Sequence, residues 1–126
     1  MEKKHRIIVE GSREFWDYDL LRDEMRRYIK ENGMKEEDIE IVSGTARGAD
    51  RLGEMFAEES GLEVVLFPAD WKKNGNSAGH IRNNEMKKYA TDCVAFWDGE
   101  SKGTKGMIDS ATKAGLGVKV VNYKKK

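Results

Sequence analysis

The sequence predicts an open, three-layer Rossmann-like α/β fold: about five parallel strands in the order 3-2-1-4-5, with helices on both faces. Three observations lead there. Five short apolar runs recur along the chain: RIIVE (6–10), IEIVSG (39–44), EVVLFP (63–68), CVAFW (93–97) and VKVVNY (118–123). The central runs are continuous rather than alternating, which is the pattern of strands covered on both faces. The segments between them have helical spacing, so the chain reads βαβαβαβαβ, and right-handed crossovers then give a parallel sheet.

The elements follow in order. After the first strand, DYDLLRDEMRRYIKENG (17–33) places Leu21, Met25, Tyr28 and Ile29 on one face. Asp17 or Asp19 caps its start, and Gly33 suits its end. GADRLGEMFAEESG (48–61) aligns Ala49, Leu52 and Phe56 and stops at Gly61. SAGHIRNNEMKKYA (77–90) sets Arg82, Met86 and Tyr89 on one side, and GTKGMIDSATKAG (103–115) aligns Met107, Ile108, Ala111 and Ala114. No linker or repeat interrupts this order, so residues 1–126 are read as one domain.

Composition narrows the function. The 23 basic and 23 acidic side chains cancel, whereas a dedicated nucleic-acid binder carries a basic excess; nucleic acid is not the expected partner. One cysteine, Cys93, lies inside an apolar strand and reads as a buried structural thiol. No metal or cofactor is expected. No run approaches the ~18 apolar residues of a membrane span, and MEKKHRIIVE lacks a signal-peptide core. The expected location is the cytoplasm.

Parallel α/β sheets bind ligands beyond the carboxyl ends of their strands, near the switch point, here between strands one and four. The loops at that edge are EGSREFWD, SGTARGAD, FPADWKKNGNSAG and WDGESKGTKG, rich in glycine, hydroxyl and charged residues. The opposite loops, such as ESGLE and AGLG, are ordinary helix-ending turns. Chemistry is concentrated on one edge.

In IVSGTARGAD, Ser43 and Gly44 end a strand and Gly48 opens a helix, so the N–H groups of residues 44 to 49 are expected to face outward as an anion site. Arg47 suits a phosphate or carboxylate. Asp50 either reads a ribose hydroxyl or caps the helix. Ser101, Gly103 and Thr104 form a second such terminus, with Lys102 and Lys105 nearby; Ser101 serves there as a ligand hydroxyl or a plain cap. Gly11, Ser12 and Arg13 lie at the switch point, where Arg13 contacts a ligand or makes a surface ion pair. Arg82 interrupts an otherwise core-like helix face, so it needs an acid or an anionic ligand. Trp71 and Trp97 pack into the core or stack on a base.

Together GSREFWD, IVSGTARGAD, FPADW, AGHIRNNEM and AFWDGESKGTKGMI resemble the YspA-type (YpsA-related) branch of the SLOG superfamily, over residues 7 to 121. That superfamily is similar to DprA and to the LOG (Lonely Guy) proteins. The resemblance implies a Rossmann-like domain that binds a nucleotide or nucleotide-derived ligand, as a sensor or as a phosphoribohydrolase. It also implies a homodimer. LOG enzymes carry an arginine shortly before a methionine on one helix, matched by Arg82 and Met86. They also carry a Pro-Gly-Gly-x-Gly-Thr loop with a catalytic glutamate three residues after the threonine. Here the loop runs Asp98-Gly99-Glu100-Ser101-Lys102-Gly103-Thr104, and Met107 holds the glutamate position.

The leading expectation is therefore a binding module without turnover. Ser12, Arg13, Gly44, Arg47, Gly48, Ser101, Gly103 and Thr104 would hold phosphate. Asp50, Asp70 and Asp98 would contact sugar or base, and Gly11, Ser43, Trp71, Arg82 and Asn83 complete the expected ligand-binding set. The alternative is an N-glycosidase acting on a nucleotide, with Asp98, Glu100, Asp70 and Arg82 as its catalytic candidates. A DprA-like single-strand binder is third, disfavoured by the charge balance.

Overall fold

The computed structural model describes residues 3–124. Its sheet holds five parallel strands, β1 (His5–Gly11), β2 (Ile39–Ser43), β3 (Glu63–Leu66), β4 (Asp92–Trp97) and β5 (Gly117–Asn122), in the order β3-β2-β1-β4-β5. The expected strand order holds, with the switch point between β1 and β4. The ladder continues past the strand ends, where Ser12 N–H donates to the Phe96 carbonyl at 3.1 Å and Phe67 N–H to that of Ser43 at 2.8 Å.

Five helices connect the strands: α1 (Tyr18–Glu31), α2 (Ala49–Ser60), the single turn α3 (Trp71–Asn74), α4 (Ala78–Tyr89) and α5 (Lys102–Lys113). Of the two acids expected to cap α1, Asp17 does so, its carboxylate accepting from Leu20 N–H at 3.1 Å. The turn α3 was not legible as a helix, because four residues carry no periodicity. Asp70 caps it by accepting from Lys73 N–H at 3.1 Å.

Two apolar layers hold the helices to the sheet. Ile7, Val9, Ile41, Val94 and Phe96 meet Leu21 and Met25 of α1 and Leu52 and Phe56 of α2. On the other face Ile8, Val42 and Cys93 meet Met86 of α4 and Met107 and Ala111 of α5. Alternate residues of β1 thus enter opposite layers, which is why its run is apolar throughout. The edge strand β3 departs from that rule: Val64 and Leu66 are exposed. An apolar run marks a strand but not its coverage, and coverage depends on neighbours that lie far off in sequence.

Candidate functional site

The carboxyl edge carries a forked cleft. Its larger arm, about 750 Å³, is lined from β1 and its loop by Glu10, Gly11, Ser12 and Arg13, from α2 by Asp50, and from α4 by Arg82 and Asn83. Asp98, Ser101, Lys102, Gly103, Thr104, Gly106 and Met107 close the opposite wall. A second arm, about 500 Å³, adds Gly44, Thr45, Arg47 and Ala69, and shares Arg13, Ala46, Trp71 and Arg82 with the first.

The wall made by α5 has free donors. Ser101 caps the helix, its hydroxyl accepting from Thr104 N–H at 3.5 Å. Lys105 N–H reaches the Ser101 carbonyl, so the N–H groups of Lys102 and Gly103 are left without intrahelical partners. A Cβ built on Gly103 or Gly106 would meet nothing within 4 Å, so this side of the helix is open space. Trp97 braces the turn by donating its indole N–H to the Ser101 carbonyl at 3.0 Å. Trp97 is half-buried and lines neither arm of the cleft.

Asp98 also builds this turn. Its Oδ1 accepts from Glu100 N–H at 2.8 Å and Ser101 N–H at 2.7 Å. These bonds, that from Ser101 first, hold its carboxyl below the ordinary range. Asp98 is an ionised structural acceptor and a poor proton donor at neutral pH. Glu100 is exposed and does not line either arm.

The start of α2 differs from the expected anion site. Ala49 N–H donates to the Ser12 carbonyl at 3.4 Å, Ala46 N–H to Asp50 Oδ2 at 3.2 Å, and Thr45 N–H to Ser43 Oγ at 3.0 Å. Three donors that were expected to face outward are thus engaged inside the protein. The glycines serve the same packing. A Cβ on Gly48, which has φ 83°, would lie 2.4 Å from the Ser12 carbonyl oxygen. One on Gly44 would lie 2.8 Å from Arg82 Nη1 and 2.9 Å from Asp50 Oδ2. The loop is glycine-rich so that β1, α2 and Arg82 can close on one another. Thr45 follows Gly44 with φ 64°, a left-handed conformation that is uncommon for a residue with a side chain.

The remaining expected residues divide. Arg82 is half-buried: Nη1 donates to the Gly44 carbonyl and Nε to Asn83 Oδ1 at 2.8 Å. It stands between the two arms and lines both. Asp50 is buried, and desolvation pushes its pKa up to about 6, against the pull of Ala46 N–H and the Arg82 guanidinium. Arg13 and Trp71 are exposed and line both arms. Arg47 pairs with Glu14 at 2.9 Å on the surface. Ser43 is fully buried and donates to Glu54 Oε2 at 2.6 Å, while Gly48 and Asp70 line neither arm.

One residue was missed. Glu10 is buried at the end of β1 yet lines the cleft. Burial, then the Asp50 carboxylate, raises its pKa well above the usual range, with Arg82 opposing. The signal was present in RIIVE, an acid inside an apolar strand and one step from the loop; such acids are almost never buried without a partner.

An open parallel sheet with a charged, glycine-lined cleft at its switch point defines a Rossmann-like α/β protein. The comparisons with known proteins narrow the class. The sequence model of the YspA, cpYpsA-related SLOG family matches residues 5–74. The chain is 35% identical over 128 residues to Gene 61 protein of Mycobacterium phage D29, covering 94% of this chain and 95% of that one. It belongs to the YspA, cpYpsA-related SLOG family. No solved structure matches it significantly. Among the described residues no helix is long and apolar enough to cross a membrane.

Proposed function

We propose that this chain binds a nucleotide or nucleotide-derived ligand, with a phosphorylated ribose, in the carboxyl-edge cleft, and acts as a cytoplasmic single-domain sensor. The observation that carries the reading is the first turn of α5. Free N–H groups of Lys102 and Gly103, the Thr104 hydroxyl, which accepts from that of Ser101 at 3.2 Å, and the Lys102 charge converge there on one wall of the cleft. Such a terminus favours an anion through both its donors and its dipole. Arg13 and Arg82 face the same space, and Trp71 offers an exposed ring for a base. Family membership supports the same ligand class.

Turnover is not part of this proposal. LOG-type hydrolysis needs a carboxyl beside the ribose, and Met107 offers a buried thioether at that position. Asp98 is ionised and engaged by two backbone donors. A melting-temperature screen across nucleoside 5′-monophosphates, followed by chromatography for free base, tests both halves. The expected result is a rise in melting temperature with a binding nucleotide and no base released. Absence of protection by any phosphate compound at millimolar concentration would sink the binding proposal; base release lost in Asp98→Asn would replace it with an enzyme.

A further inference from the structure

Among the described residues three acids are buried, and two of them are partnered. Glu40 accepts from the Tyr89 hydroxyl and Asp50 from Ala46 N–H. Glu10 Oε2 is enclosed and has no hydrogen-bond partner, alone in this among the buried side-chain polar atoms of the described residues. The residue is 8% exposed and lines the larger arm of the cleft. An unmade hydrogen bond at such a depth is costly, and native proteins carry few of them without a use.

The surroundings say what use fits. Asp50 from α2 and Arg82 from α4 are the charged groups that act on Glu10. Burial, then the nearby Asp50 carboxylate, favours the neutral form of Glu10, with Arg82 opposing. A carboxyl complements a hydroxyl, as acceptor in either protonation state and as donor too when it holds its proton. The cleft is thus divided by chemistry: cationic and N–H donors at α5, a hydrogen-bonding carboxyl at the end of β1.

We propose that Glu10 is the specificity-determining residue of this cleft, its carboxyl hydrogen-bonding a sugar hydroxyl of a ligand whose phosphate lies at the first turn of α5. The ligand class is then a phosphorylated sugar or nucleotide with a free hydroxyl, rather than a bare phosphate or polyphosphate. This rests on the anion-site reading above, and the test separates the two.

Inorganic phosphate and ribose 5-phosphate are titrated into wild type, Glu10→Gln and Glu10→Leu by calorimetry, with melting temperatures recorded alongside. Wild type is expected to favour ribose 5-phosphate by about tenfold, the worth of one well-made buried hydrogen bond. Glu10→Gln, neutral and of the same shape, keeps most of that preference. Glu10→Leu loses that preference and melts higher because the unpaired polar group is gone. If Glu10→Leu does not fold, Glu10→Ala is read for the sugar preference alone, because the cavity it leaves lowers the melting temperature. Phosphate binding with no sugar preference in wild type, or a preference that survives in the folded Leu or Ala variant, overturns the role of Glu10 and leaves the anion site standing. Binding of neither compound to wild type overturns the anion site and, with it, this role.

Discussion

Asp50 and Arg82 share one small volume beneath Gly44, and their energetics have opposite signs. Asp50 has an ordinary pKa of 3.8 and a folded one of about 6. Below pH 4 both the folded and unfolded chains hold its proton. As pH rises from 4 to 6 the unfolded chain releases it first, so stability falls, and above pH 6 the loss is complete. The difference amounts to about 3 kcal/mol. Glu10 adds a fall of the same sign; Arg82, Arg51 and Glu54 are the other charges acting on Asp50. Asp50→Asn, which still accepts from Ala46 N–H, should therefore be more stable than wild type at pH 7 and about equal to it at pH 4. Urea unfolding at both pH values measures this, and a stability difference that does not vary with pH would mean that Asp50 titrates normally. Arg82→Ala should do the reverse. It strips the Gly44 carbonyl of a charged donor, for about 1–3 kcal/mol, and should weaken ligand binding more than Lys87→Ala or Lys88→Ala does. Equal losses from all three substitutions would reduce Arg82 to a surface charge.

At the scale of elements, α5 is a helix weakened on the side that faces the cleft. Gly106 costs about 0.5–1 kcal/mol relative to alanine in the helix interior, Gly103 lies in the first turn, and neither is required by a close neighbour. What they leave is room. Gly106→Ala should raise the melting temperature, because a Cβ there meets nothing within 4 Å, and should lower affinity for the protecting nucleotide. A variant that gained on both counts would show that this face of α5 is not a ligand wall. The start of α2 is built the other way: Gly44 and Gly48 are occupied by backbone and by Arg82, and substitution there should unsettle the fold itself.

Large apolar side chains are exposed on both edge strands of the sheet, Val64 and Leu66 on β3 and Val120 on β5, and an uncovered edge strand invites pairing. We infer a homodimer that buries the β3 edge, where two such side chains alternate. Light scattering at micromolar concentration should give a mass near twice 14.4 kDa, and Leu66→Lys should return it to one chain. A wild-type mass near 14.4 kDa would remove the dimer. The family match ends at residue 74, so the α5 wall of the cleft lies outside it and rests on the geometry alone.

Local pattern carried a great deal of this. The strand order, an acidic cap for α1, the buried Cys93 and the loops that meet at the carboxyl edge follow from apolar runs, helical spacing and the handedness of crossovers, whereas the choice of Asp17 over Asp19 as that cap came from the fold. The partners of side chains were another matter. SGTARGAD reads as a ligand loop because glycines and a helix start sit together, yet only the fold shows that Ser12, Asp50 and Arg82 fill the space the glycines leave. Asp98 and Asp70 read as reactive acids until the backbone N–H groups they accept from are in place. Glu10 passed as part of a strand, since its burial and its lack of a partner arise from β4, α2 and α4 closing over the end of β1. Periodicity is a property of neighbours in sequence; desolvation and hydrogen-bond partnership belong to neighbours in space, and those exist only after the chain has folded.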